Sequence, residues 1–153
     1  MLKTLQWLEE GGHRKDFDDI KSFVQSLPAE ERTMFIEQAG SDPEMANKIE
    51  VVSQYRLIYG DKSIAAWDLT RYTALCGWGY LAGYFTEEEA WQRMMPAARA
   101  LQQHFDSWDD MGRNYLIGRE FWSLGHTRQT GEAMENAYKK LRTDPQSPWR
   151  TIP

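Results

Sequence analysis

Apolar residues recur along this chain at the three- and four-residue spacing of amphipathic helices. The segment before Pro28 shows this spacing most plainly, at Phe17, Ile20, Phe23, Val24 and Leu27. No stretch alternates apolar and polar residues for long enough to require a strand. The pattern therefore predicts an all-α domain of about seven helices, with no sheet beyond a short hairpin.

Capping residues, glycines and prolines predict where these helices begin and end. The residues expected to begin a helix are Pro28, Asp42 with Pro43, Ser63, Thr86, Ser107, and Thr130 or Gly131. Those expected to end one are Gly11 with Gly12, Gly40, Gly60, Gly77 with Gly79, Phe105, Leu124 and Arg142. Pro96 falls inside a helix and should bend or interrupt it. The segment 143–153 contains three prolines and is expected to be extended.

Composition and length are typical of one globular domain that covers residues 1–153. The net charge is −5, and residues 1–60 hold 11 acidic side chains against 7 Lys and Arg. This acidic N-terminal part argues against nucleic-acid binding, which needs a basic surface. It suits a basic protein partner through electrostatic steering, and the alternative interpretation is a solvated acidic surface that keeps the protein soluble.

The chain shows no membrane-spanning or secretory pattern. No apolar run approaches the roughly 20 residues that cross a bilayer. Acidic residues already appear at Glu9 and Glu10, which is too early for a secretory signal. A single cysteine, Cys76, excludes an internal disulfide and is expected to be a core residue. We therefore expect a cytoplasmic protein without membrane partners.

Two segments, 66–71 and 107–113, each place a Trp-Asp pair and an arginine on a predicted helix. Helical spacing puts Ile64, Asp68, Arg71, Leu75 and Trp78 on one face, and Gly112, Tyr115, Arg119 and Trp122 on another. Glycine inside a helix costs roughly 1 kcal/mol relative to alanine, so Gly112 and Gly118 indicate close approach of another helix or of a ligand. We expect the two helices to pack together, with Asp68 buried and bound to Arg71, Arg113 or Arg119, because buried charges require partners.

Two interpretations of these charges remain open. In one, they form a structural network that fixes the helix register. In the other, they line a polar pocket for an anionic or planar ligand, formed by Trp67, Asp68, Arg71, Trp108, Asp109, Arg113 and Arg119.

Catalytic and metal-binding signatures are missing from the sequence. His13, His104 and His126 are scattered, and no glycine-rich phosphate loop follows a strand. The sequence therefore predicts no cofactor, no metal and no catalytic residues.

Five short motifs resemble a bacterial family called domain of unknown function 1266 over roughly residues 50–125. They are Ala66-Trp67-Asp68-x-x-Arg71, Gly83-Tyr84, Glu89-Ala90-Trp91, Ser107-Trp108 and Tyr115-x-x-Gly118-Arg119-x-x-Trp122. The resemblance implies a helical bacterial domain in which the Trp-Asp-Arg positions belong to a shared framework. It implies no catalytic residues, and it does not extend to the first 40 residues or the tail.

Three functions remain open for such a domain. The first is an immunity-type protein that binds and neutralises a basic toxin, with partner-binding residues in the first two helices at Glu9, Glu10, Asp16, Asp18 and Asp19. The second is an enzyme or small-ligand binder that uses the Trp/Asp/Arg pocket. The third is a structural or adaptor module.

Overall fold

The computed structural model describes residues 1–39 and 41–152, and within them it contains helices and no strand. Eight α-helices have eight residues or more: α1 Leu2–Glu9, α2 Gly12–Ser26, α3 Ala29–Ala39, α4 Pro43–Tyr59, α5 Ala65–Leu81, α6 Glu87–His104, α7 Trp108–Trp122 and α8 Leu124–Thr143. A 3-10 turn, Gly60–Lys62, follows α4, and a four-residue helix, α9 Pro148–Thr151, ends the described chain. The all-α prediction is confirmed; the helix end expected at Gly40 lies outside the described residues, as does Pro153.

Three predicted helix starts are confirmed by their hydrogen bonds. The Asp42 side chain accepts from the backbone N–H groups of Glu44 and Met45 at 3.0 and 3.3 Å. Thr86 and Glu89 form a complete capping box at the start of α6. The Ser107 hydroxyl accepts from the backbone N–H of Asp110 at 3.1 Å. These helices begin where local capping satisfies their first N–H groups.

The predicted end of α5 at Gly77 and Gly79 is wrong, because the helix continues to Leu81. Gly83 lies just beyond the C-cap Ala82, and its positive φ of 77° is typical of glycine in a Schellman motif. There the N–H of Tyr84 donates to the carbonyl of Gly79 at 2.8 Å, and that of Gly83 to Tyr80 at 2.9 Å. Gly79 lies against the Phe85 ring, and a larger residue would not fit there, because a Cβ would lie 2.6 Å from that ring.

The start of α5 is capped by another helix rather than by Ser63, which corrects that prediction. Asn114 of α7 accepts from the N–H of Ala66 at 2.9 Å and donates to the carbonyl of Ser63 at 2.7 Å. Asn114 is fully buried, so this amide fixes α7 against the first turn of α5.

The chain after α7 also differs from prediction. Helix α8 begins at Leu124 instead of Thr130 or Gly131, because the Glu44 carboxylate accepts from the N–H groups of Leu124 and Gly125 at 2.8 and 3.1 Å. The tail is not wholly extended, since α9 forms over Pro148–Thr151. Pro96 does not interrupt α6.

Buried apolar residues of the described ranges form three groups. Helix α5 contributes to two of them, and its N-cap residue, Ile64, contributes to the third. One group lies between α1, α5 and α6, at Leu5, Leu8, Tyr72, Cys76, Phe85, Ala90 and Ala97. The second joins α2, α4 and α7 beneath the start of α5, at Phe17, Val51, Val52, Tyr59, Ile64, Ile117 and Phe121. The third lies where α5 meets α7, at Ala65, Ala66 and Phe105. The expectation that Cys76 is a core residue is confirmed. None of the helices described is both long enough and apolar enough to cross a membrane.

Candidate functional site

Asp68 is buried, as predicted, but its partners are at the start of α2. Its Oδ2 accepts from the backbone N–H of Arg14 at 2.8 Å and lies 3.6 Å from Arg14 Nε. Gly11, the N-cap residue of α2, has no side chain that could accept these bonds. Asp68 therefore caps α2 from across the core, and the predicted bond to Arg71, Arg113 or Arg119 is wrong.

Burial raises the pKa of Asp68 to about 6, against the opposing effects of the Arg14 N–H and the Arg14 and Arg71 charges. Its second oxygen, Oδ1, is buried and has no hydrogen-bond partner among residues 1–39 and 41–152. The carboxylate is thus held in an environment that only partly compensates its charge.

Arg71 packs beside two tryptophan rings, Trp67 of α5 and Trp122 of α7, whose centres lie 5.3 Å apart. Its guanidinium carbon is 5.0 Å from the Trp67 ring centre and 5.4 Å from the Trp122 ring centre. Its Nη1 donates to His13 Nε2 at 3.1 Å, which requires a neutral imidazole. Burial first, and then the Arg71 and Lys48 charges, lower the pKa of His13 to about 4.

The packing of α5 on α7 is confirmed at Trp67 and Gly118. A Cβ on Gly118 would overlap Trp67 Cβ, so the backbone of α7 lies directly against α5. The Trp67 ring then stacks near Tyr115 and Trp122, at 5.2 and 5.3 Å between centres. This contact leaves no room for a ligand between the two helices at this point.

The second Trp-Asp segment lies at the surface, where the start of α7 contacts the C-terminal residues Trp149 and Ile152. Asp109 is bound by Arg113 at 3.1 Å, by the Tyr138 hydroxyl at 2.8 Å and by Arg142. Trp108 donates from Nε1 to the carbonyl of Ile152 at 3.0 Å. A Cβ on Gly112 would overlap the Trp149 ring, which packs on α7. These contacts hold α8 and α9 against α7.

The seven residues predicted to line one pocket therefore lie in separate places. Trp67 and Arg71 form one stack, Asp68 caps α2, Trp108, Asp109 and Arg113 lie at the start of α7, and Arg119 faces α8. Sequence reasoning missed the residues that complete these groups, namely Arg14, Asn114, Glu44, Tyr138, Arg142 and Trp149. The adjacent Gly11 and Gly12 were a usable signal, because they indicate a helix start without a side-chain cap.

A cleft of about 620 Å³ opens between α4, α7 and α8. Its walls include Arg119 and Glu120 of α7, Glu135 of α8, and Tyr55 and Tyr59 of α4. Burial raises the pKa of Tyr59 to about 12. In the described ranges, no three His, Cys, Asp or Glu side chains are grouped so that they could hold a metal ion.

Large apolar side chains are exposed where α5 turns into α6. Trp78, Leu81, Tyr84 and Trp91 are each more than half exposed, and we call these four residues the hairpin patch. The acidic side chains of Glu87 and Glu88 lie in the first turn of α6, within the same hairpin.

The five acidic residues predicted to bind a partner lie along α1, α2 and the turn between them; three of them accept side-chain hydrogen bonds, and Asp16 Oδ2 lies 4.0 Å from His13 Nδ1. Glu9 accepts from the Tyr72 hydroxyl at 2.5 Å, Glu10 from Gln6 at 2.8 Å, and Asp18 from Lys21 at 3.2 Å. Asp16 and Asp19 are exposed.

Comparison with protein families identifies the chain. The family model DUF1266, described as a protein of unknown function, matches residues 1–153. The chain therefore belongs to the DUF1266 family, and the match includes the first 40 residues and the tail, beyond the segment 50–125 that the motifs covered. Comparisons with curated proteins and with solved structures give no match.

Proposed function

We propose that this member of the DUF1266 family is a protein-binding module of the immunity type, which neutralises a basic toxin in the bacterial cytoplasm. The observation that carries the proposal is the hairpin patch. Exposed apolar side chains are common singly, whereas several large ones within one helical hairpin are typical of interaction sites. Tryptophan and tyrosine are also the residues most enriched among energetic hot spots of interfaces.

The backbone of the hairpin supports this use of the surface. Trp78 and Leu81 are one turn apart on α5, and Tyr84 follows the Gly83 turn. Gly77 precedes them, and a Cβ there would meet nothing within 4 Å. Internal packing therefore does not explain why this helix contains a glycine at position 77, although glycine weakens a helix by about 1 kcal/mol relative to alanine. Close approach of a partner to the helix would explain it.

Charge around the hairpin patch favours a basic partner. Glu87 and Glu88 are exposed in the α6 first turn, and Glu89 completes the capping box there. Interfaces commonly combine an apolar, aromatic centre with a charged rim. Acidic side chains beside the aromatic residues match Lys and Arg on the partner and oppose an acidic one.

The acidic residues of α1 and α2 have a different role in this proposal. Glu9, Glu10, Asp16, Asp18 and Asp19 contribute to the negative field that accelerates the encounter, and steering of this kind needs no direct contact. The hairpin patch then supplies the apolar contact area that slows dissociation.

The experiment expresses the products of the genes adjacent to this one, takes one of basic sequence as the partner, and measures its association with the purified protein by biolayer interferometry. Leu81 and Leu57 are both 79% exposed, but only Leu81 belongs to the hairpin patch. We expect Trp78→Ala and Leu81→Ala to accelerate dissociation, with a loss of about 2 kcal/mol or more for the tryptophan. Leu57→Ala is the matched control and should bind as the wild type does.

Two outcomes contradict the proposal. If the wild-type protein neither binds this partner nor suppresses its toxicity on co-expression, the immunity-type function is wrong. If Leu57→Ala and Leu81→Ala weaken binding equally, the hairpin patch is not the contact surface.

A further inference from the structure

The cleft between α4, α7 and α8 contains a buried arginine without an acidic partner. Arg119 is only 7% exposed, and it belongs to the wall of the cleft. Its Nη2 donates to the carbonyl of His126 at 3.0 Å and to the Thr130 hydroxyl. Both acceptors are neutral, and no carboxylate in the described part of the chain forms an ion pair with this guanidinium. A buried charge in such surroundings favours an anionic partner.

The same cleft contains carboxylates without cationic partners. Glu120 and Glu135 line it from α7 and α8, and across residues 1–39 and 41–152 neither is paired with Lys or Arg. Burial first, and then repulsion by the charges of Glu50 and Glu135, raises the pKa of Glu120. A cation beside Glu120 and Glu135 would favour their charged form.

Helix geometry explains why Arg119 and Glu120 do not form an ion pair with each other. Arg119 and Glu120 are consecutive residues of α7, and consecutive helical side chains do not face each other. The Arg119 guanidinium is held by its two acceptors at the start of α8. The cleft therefore presents one positive group held in place, Arg119, and two carboxylates, Glu120 and Glu135, to the same volume.

The remaining walls of the cleft are mostly apolar or aromatic, apart from Thr127 and two further arginines, Arg113 and Arg142, which are both paired with Asp109. Ile58 and Tyr55 come from α4, Leu116 from α7 and Met134 from α8. Small-molecule sites typically combine such walls with a few polar groups that orient the ligand. At about 620 Å³, the cleft is within the size range of these sites.

We propose that this cleft binds a small zwitterion with an apolar body, of the class of the apolar α-amino acids. The carboxylate of the ligand pairs with Arg119, its ammonium group with Glu120 and Glu135, and its side chain packs on Tyr55 and Met134. The site is separate from the hairpin patch and does not depend on the proposed toxin binding.

Three related compounds test the proposal on the full chain by isothermal titration calorimetry. L-Phenylalanine carries both charges and an apolar body, 3-phenylpropionate lacks the ammonium group, and 2-phenylethylamine lacks the carboxylate. We expect L-phenylalanine to bind, and each of the other two to bind roughly tenfold more weakly, because each loses one charge-assisted contact.

Two variants assign these contacts. Arg119→Gln should remove the preference for L-phenylalanine over 2-phenylethylamine. The pair Glu120→Gln and Glu135→Gln should remove the preference over 3-phenylpropionate. Glu132→Gln, on the same helix α8 but outside the cleft walls, is the matched control and should leave all three affinities unchanged.

Several results would overturn the proposal. They are the absence of L-phenylalanine binding to the wild type at millimolar concentration, equal binding of the three compounds, and an unchanged preference in the glutamine variants. Because Arg119→Gln also removes the bonds to α8, the Glu120 and Glu135 pair provides the test if that variant does not fold.

Discussion

The Asp68 carboxylate occupies the space that a side chain on Gly12 would need. A Cβ at Gly12 would lie 2.8 Å from Asp68 Oδ2, and Gly12 has a positive φ of 55°. Both features belong to the turn between α1 and α2, where the backbone bends so that the N–H of Arg14, in the first turn of α2, donates to Asp68. The Trp-Asp motif of α5 is thus one half of a tertiary helix cap, and the double glycine is the other.

Gly12→Ala should therefore destabilise the protein by about 2–3 kcal/mol, because a Cβ there overlaps a buried carboxylate and left-handed backbone disfavours alanine. Gly77→Ala is the matched control, since its Cβ meets nothing within 4 Å inside α5. It should stabilise the fold by about 0.5–1 kcal/mol. Urea unfolding of both variants measures the difference, and a similar effect of the two substitutions would contradict the Gly12–Asp68 relationship.

Asp68 and His13 should change the stability in opposite directions as the pH rises. The folded chain keeps the Asp68 proton up to a pKa of about 6, whereas the unfolded chain loses it near 3.8, so this residue lowers the free energy of unfolding over that interval. The folded chain loses the His13 proton at a pKa of about 4, and the unfolded chain loses it near 6.5. This residue therefore raises the free energy of unfolding as the pH rises over that interval. The charges of Arg14 and Arg71 lower the pKa of Asp68, and those of Arg71 and Lys48 lower the pKa of His13. Asp16 Oδ2 also lies 4.0 Å from His13 Nδ1.

Asp68→Asn should separate the two effects. The substitution removes the Asp68 contribution, which decreases as the pH rises. The free energy of unfolding of the variant should therefore gain roughly 2–3 kcal/mol relative to that of the wild type between pH 4 and pH 6. His13→Gln should show the opposite trend from pH 4 to pH 6.5. Urea unfolding at a series of pH values measures both, and parallel curves for the wild type and Asp68→Asn would show that Asp68 titrates normally.

The sequence was sufficient for the fold class and for the packing of α5 on α7, because helical periodicity and the glycine at position 118 are local signals. It was not sufficient for the partner of Asp68. Arg14 lies 54 positions away in the chain, and its bond depends on how α1 and α2 turn back over α5. Spacing within one helix favoured the nearby arginines instead.

The other errors have a similar physical origin. Gly79 resembles a helix end in the sequence, but the Phe85 ring packs against it and the helix continues. Thr130 resembles a helix start, yet Glu44 caps the helix six residues earlier. In both cases a tertiary contact overrides the local preference, and such contacts are not visible without the fold.

Gly118→Ala should destabilise the protein by about 1–3 kcal/mol, because its Cβ would overlap Trp67 at the centre of the α5–α7 contact. Gly131→Ala is the control within α8, where a Cβ would lie 3.6 Å from Thr127 Cγ2 in ordinary contact. That variant should be neutral or slightly stabilising. Thermal unfolding distinguishes the two, and a neutral Gly118→Ala would mean that the helices can separate without loss.

Reversal of the exposed acidic charges on α2 should slow binding of a basic partner. Asp16 and Asp19 are suited to this test because both are exposed, whereas Asp18 forms an ion pair with Lys21 at 3.2 Å and is left unchanged. In the double variant Asp16→Lys and Asp19→Lys, the association rate should fall several-fold at low salt while dissociation changes little, because steering acts on the encounter.

The difference between the double variant and the wild type should shrink as salt is added, since the screening length is about 10 Å at 0.1 M. Binding kinetics with the same basic partner, recorded across a salt series, measure this difference in association rate. Circular dichroism verifies that the variants keep the helical fold. Substitution of the same two residues by asparagine is the control, and it should give about half the effect because the charge change is half as large. An association rate that falls with salt but is unchanged in both variants would place the electrostatic contribution outside α2, whereas a rate that does not respond to salt would contradict electrostatic steering.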